Sequence, residues 1–579
     1  MKKLLLLPVF LLGFMLTVIV VKRNKLIAVP TMEAGLPRTF LRCMPAGKLP
    51  MLEMDSTKPF APRLDGLGNY HFSVSTNNKD AQYFFDQGLR LYYGFNHMEA
   101  YRAFTEVNRL DPGCAMGYWG QALTLGPNIN APMDAADVKK VMSAVQQAID
   151  KSSTASPKEK ALIQAIARRY SDPAPTDRAA LDAAYTAGMK QAYARFPNDP
   201  DIASLYAEAV MDQHPWNYWA KDGSEHEWTP DIVLPLEKVL ATLPDHPGAN
   251  HFYIHAVEAS QKPERGLAAA EKLQKLMPGA GHLLHMPSHI YIRTGHYDKG
   301  SDMNEVSIKA DQAYLTACNS QGLYALIYHP HNYHFLWACA TLEGRSATAI
   351  KTAFELREKV PADLLLSPFG FGLQHFYATP LFAQVRFGQW NELINTPAPE
   401  NNLVYVTAMW NYARGVAFAK TGNLPEAKRS LAALQQLESD TTLKNISAGF
   451  LNTPQSLMAI AGKVLSAAIA EQLKQTDQAV SLLKEAIVLE DALNYNEPAD
   501  WHHPVRQVLG QVLNDAGQPA VAERYYREDL HNYPSNGWSL AGLYASLKAQ
   551  KKTGEAEKVK KMYEKAFVRA DINTGRSAF

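Results

Sequence analysis

The sequence predicts an all-α chain, a solenoid of stacked helix pairs, and three observations carry that expectation. One order of bulky, small, aromatic and proline residues returns along the chain at about 34 residues or more. Prolines at 197, 247, 278 and 534 punctuate the units. No strand-type alternation and no phosphate-binding glycine loop interrupts them. At 579 residues the chain exceeds one ordinary core, which suits an array in which each unit packs only on its neighbours.

The stretch AQYFFDQGLRLYYGFNHMEAYRAFTEVNRLDP (81–112) states the pattern in full through Phe84, Gly88, Leu91, Ala100, Phe104 and Pro112. Small residues let paired helices approach closely, and the proline stops the second helix. The same grammar returns at 503–534 with Gly510, Gly517, Ala522, Tyr526 and Pro534, and continues through Trp538, Gly542 and Tyr544. Weaker copies occupy 281–300 and 407–434. Roughly ten to twelve helix pairs of the tetratricopeptide (TPR) type fit the chain. The predicted layout is a signal-anchor or signal peptide at 1–25 and an extended arm at 26–76. TPR-like repeats follow at 77–240, His-rich central repeats at 241–395 and C-terminal TPR repeats at 396–579.

Longer phrases are more specific than the generic repeat. FDQGLRLYYGFNHMEAYRAF, CAMGYWGQALTLGPNIN, HPGANHFYIHAVEAS, AGHLLHMPSHIYIRTGHY, HNYHFLWA and YREDLHNYPSNGWSLAGL resemble a family of large bacterial TPR proteins, from about residue 66 to about 550. The resemblance implies the fold and carries no reaction or catalytic residue with it.

The bulk numbers bound the function. Lys+Arg 58 against Asp+Glu 57 leaves a net charge of +1, which gives no basic footprint, so no nucleic-acid partner is expected. Lys2 and Lys3 precede an uncharged apolar run, Leu4 to Val21, of about the length of a membrane span. Val20-Val21-Lys22-Arg23 makes a poor cleavage site. The expected setting is therefore an exported array tethered to the membrane by its N-terminus, the alternative being a cleaved, periplasmic one. None of the 4 cysteines forms a CxxC pair, and a chain this large needs no disulfide staple.

The histidines supply the chemistry. In a TPR pair the groove face of the first helix falls thirteen, ten, six and three residues before the turn, spacings that define one helical face. With Gly295 as turn, that face takes His282, His285 and His289. With Gly344 it takes His331 and His334, with Gly388 His375, and with Gln261 His251, His255 and Glu258. One pair earlier, counted from His214, it takes Glu208. Pro287, between His285 and His289, fits only near a helix start and weakens the register there.

Two functions follow. The first is a concave groove that binds a peptide, protein or small ligand, its specificity set by histidines and aromatics. The second is a metalloprotein, an enzyme of hydrolytic or oxidative type, with His251, His255, Glu258, His285, His289 and His334 as ligands of a divalent Zn, Fe, Cu, Ni or Mn ion. Residues 251–255 read HFYIH, so no HExxH signature is present. The plainer alternative is a hydrogen-bonded polar network of these histidines with Tyr253, Tyr291, Tyr328 and Tyr333. Arg293 is a candidate anion contact, and Trp216 lies in a 213–228 loop long enough to form a lid.

Overall fold

The structure is a computed structural model. It describes residues 59–579 other than 176, 319–323, 367–369, 401–402, 441–451 and 573–574. Among the described residues the regular structure is helical. Its only β pairing is two isolated bridges, Asn128 with Ala131 and Trp219 with Glu225.

Antiparallel helix pairs follow one another as the repeat grammar predicts. Helix Lys79–Tyr93 packs on His97–Leu110, His329–Leu342 on Ser346–Glu358, and Val505–Asp515 on Pro519–Asn532. Caps mark the starts: Asn78 and Asn536 side chains accept from the first-turn amides of their helices, and Ser156 with Glu159 forms a reciprocal capping box. The three glycines read as turn residues, Gly295, Gly344 and Gly388, all have φ between 66° and 76°, a left-handed conformation that only glycine adopts cheaply.

The small–aromatic alternation has a direct cause. The Phe104 ring lies between Gly88 and Gly120, and the Tyr526 ring between Gly510 and Gly542. A Cβ at any of the four glycines would overlap the ring, so three helices lock around one aromatic residue in both places. The apolar core falls into two large clusters, one running from Ala61 to Tyr328 and the other from Trp337 to Val559. The central histidines pack against the first of these, through Phe95 and Tyr328, and against Phe335.

The C-terminal helices touch the central ones. Tyr297 Oη donates to Pro534 O at 2.8 Å, and Trp538 Nε1 to Thr341 O at 2.8 Å. The Asp571 carboxylate accepts from the first amides of helix Ser346–Glu358. Cys114 and Cys339 are buried free thiols. No helix among the described residues is long and apolar enough to cross a membrane, and the predicted anchor at 1–25 lies outside them.

Candidate metal centre

Four helices bring six histidines to one place. Helix Pro247–Glu258 supplies His251 and His255, one turn apart, and ends on Glu258. Helix Gly281–His285 supplies His282 and His285, and the chain restarts as Pro287–Arg293 with Pro287 at its first position, carrying His289. The proline that unsettled the register thus marks a helix start, and all three histidines still reach the cluster. Helix His329–Leu342 adds His331. Ligand-capable atoms of His251, His255 and His282 lie within 4.8 Å of one another, as do those of His285, His289 and His331, and those of His255, Glu258 and His289.

Hydrogen bonds fix the ring nitrogens. Asn304 Nδ2 donates to Ser288 Oγ and Gly300 O, so its Oδ1 must accept from His285 Nδ1–H, at 2.7 Å. Glu258 accepts from His255 Nδ1 at 2.8 Å and from His289 Nδ1 at 2.5 Å, one on each oxygen. Tyr495 Oη donates to the same carboxylate at 3.2 Å, and His251 Nδ1 donates to Tyr93 O at 2.7 Å. In the neutral imidazole the other nitrogen then carries a lone pair. His285 Nε2 and His289 Nε2 face each other at 2.9 Å, and His255 Nε2 is buried with no hydrogen-bond partner. His251 Nε2 and His282 Nε2 are 3.2 Å apart, with His282 Nδ1 unpartnered.

The surroundings are largely buried and aromatic. His285 and His255 are 0% and 2% exposed. The Phe95 ring lies 4.4 Å from His251 and 5.5 Å from His282, and Phe335 lies 4.4–5.0 Å from His285, His289 and His331. Burial, reinforced by the neighbouring imidazoles, pushes His251, His282, His285 and His331 well below the ordinary histidine range. Burial would raise Glu258, but His289 and the two Nδ1–H bonds outweigh it and hold the carboxyl far below its usual range.

Five of the six histidines are buried and His331 is half-buried, because the chain covers the cluster from two sides. Trp216, with φ of +58°, sets its ring 5.2 Å from His255. Its Nε1 donates to Asn130, whose amide donates to Tyr328 Oη beside His282. From the other side Tyr495 reaches Glu258, and Arg293 clamps the end of the helix through Glu258 O.

Several expected site residues lie elsewhere. His334 leaves the metal set: three positions past His331, it turns far enough round the helix to stack on Trp337, 5.6 Å from His375. His375 pairs with Tyr405 Oη. Tyr253, two positions from His251, points to the opposite face and donates to Glu237. Tyr291 is buried beside His296. Glu208 lies in a separate buried group, near Tyr92, with the ion pair Arg169–Asp212. Sequence spacing missed Tyr93 O, Phe95, Asn304, Phe335 and Tyr495. Only Phe95 leaves a trace, as a residue other than glycine in the first turn, where φ is +54°.

No protein-family model matches the chain, and no curated protein matches it in sequence. Solved helical-repeat structures do. The human IFIT1 dimer with m7Gppp-AAAA is 11% identical, over 85% of this chain and 91% of that one, with a TM-score of 0.32. Naa15/Naa10 bound to HypK-THB is 10% identical, over 85% and 79%, at 0.22. The P58(IPK) TPR domain is 12% identical, over 59% and 93%, at 0.18. Likeness at these scores transfers neither ligand nor partner to this chain.

Proposed function

We propose that this protein is a metal-binding helical-repeat protein in which His285, His289 and His331 hold one divalent transition-metal ion and His251, His255 and His282 form a second such set. The facing pair His285/His289 carries the reading. Both Nδ1–H groups are committed to acceptors, so two lone pairs oppose each other at 2.9 Å. A proton on either would relieve them, but burial and the adjacent imidazoles disfavour that charge on His285. A shared cation is the other remedy, and the spacing suits it. Two nitrogens each about 2.0–2.1 Å from one ion stand about 2.9–3.4 Å apart at ordinary bond angles.

In this reading Glu258 orients ligands rather than serving as one. Its oxygens hold His255 and His289 by Nδ1 and turn both Nε2 atoms inward, as the carboxylate partners of metal-bound histidines do. A bound ion supplies Lewis acidity and, for Fe, Cu or Mn, a redox couple. All-nitrogen sets favour Zn, Cu, Ni or Fe over Mn. The setting proposed with it is extracytoplasmic and membrane-tethered, supported by the basic start and apolar run of residues 2–21.

Elemental analysis of the full chain, purified without a polyhistidine tag or chelator, tests the reading. One or two ions per chain are expected, with nitrogen scatterers near about 2.0–2.1 Å in X-ray absorption. His289→Ala should fold and lose the ion held with His285. A parent chain that takes up no metal after reconstitution with each candidate ion would leave the histidines as a polar network.

A further inference from the structure

A second buried site lies beyond the histidine centre, between helix His329–Leu342, the end of helix Gly370–Arg386 and the 497–504 loop. Trp337, Arg386, Glu497, Trp501 and His502 line a cavity there of about 40 Å³. By that measure about 10–15 Å³ holds one water, so the cavity takes roughly three or four atoms of that size.

Its polar wall is made largely of donors left without acceptors. Arg386 Nε, Trp337 Nε1 and Trp501 Nε1 have no hydrogen-bond partner, nor has either nitrogen of His502. These side chains are between 1% and 8% exposed. An indole N–H and a guanidinium N–H can only donate, and the neutral His502 ring offers a single acceptor nitrogen, so within this set at most one of the three donors can be satisfied. A water accepts two hydrogen bonds at most and brings two more donors.

The charge is also uncompensated by direct contact. Among the described residues Arg386 forms no ion pair. Its Nη2 donates to Gln507 Oε1 at 2.8 Å and its Nη1 to Ser577 O at 3.3 Å, both neutral acceptors, and it lies 3.7 Å over the Trp538 ring. The carboxylate that bears on it, Asp529, is reached only through Gln507 and is already occupied by Gln507, Asn536 and Ser539. Glu497 completes the wall as a neutral carboxyl, since burial, partly opposed by Arg293, pushes it up to about 8. A buried cation without a counter-charge is costly.

We propose that this cavity binds a small monovalent anion, such as a halide, formate or nitrite, through Arg386 Nε–H and the indole N–H groups of Trp337 and Trp501. The site needs no metal at the histidine centre, so the two readings stand or fall separately.

Crystals of the full chain grown in sodium bromide and measured at the bromine edge test it. An anomalous peak within hydrogen-bonding reach of Arg386 Nε and both indole nitrogens is expected. In solution bromide should raise the melting temperature above that in gluconate at equal ionic strength. Trp337→Phe and Trp501→Phe keep an aromatic side chain, though a smaller one, and remove one donor, and each should weaken bromide binding roughly tenfold or more. Water density without anomalous signal, or equal melting temperatures in the two salts for the parent chain, would overturn the proposal, even if neither variant folds.

Discussion

Glu258 shows most directly how one side chain organises the centre, because each of its oxygens holds a different histidine. Glu258→Gln keeps the shape but offers one acceptor oxygen in place of two. It is expected to weaken metal binding by about 10–100-fold with the circular dichroism unchanged. His334→Ala, outside the cluster, should leave metal affinity at the parent value, and a comparable loss there would refute the ligand set. A pH effect is expected from Glu490, whose carboxyl burial pushes up to about 8 against the Val505 amide it accepts from. Unfolded, it titrates near about 4.3. Between those values the native state holds the extra proton, so this contribution to stability is present in acid and lost as pH rises through about 8. Glu490→Gln retains an acceptor for Val505 and should flatten that decline; melting curves with the parent's slope would contradict it.

At the scale of the element, most of the helix pairing is legible in the order of residues alone. Turn glycines such as Gly295 and the aromatic–small spacing around Phe104 and Tyr526 are local requirements, written wherever a left-handed turn or a close helix approach occurs. Phe104→Ala should cost about 3–5 kcal/mol in chemical denaturation, because two glycine faces would be left around a void. A loss below about 1 kcal/mol would mean that the helices close over the gap. Register is also legible for His251, His255, His282, His285, His289 and His331. It fails at His334, whose ring, roughly 60° round the helix from His331, stacks on Trp337 instead. Spacing alone does not record which side the next pair covers.

Across the whole molecule, closure decides what the histidines are. Trp216 and Tyr495 come from stretches far apart in the chain, yet both abut the centre. Trp216→Ala is expected to speed metal loss to a chelator severalfold while changing equilibrium affinity less, and stopped-flow chelation would separate the two. Helical repeats, turn positions and rows of histidines can be read along the chain, because each follows from contacts within a pair or between adjacent pairs. Long-range packing adds what that reading lacks: the rows converge, Glu258 turns two imidazoles inward, and the groove is covered. The cover rests on a pairing of residues 237 apart, Tyr495 with Glu258, and the convergence on side-chain directions between neighbouring helix pairs, such as His289 with Glu258; local periodicity encodes neither.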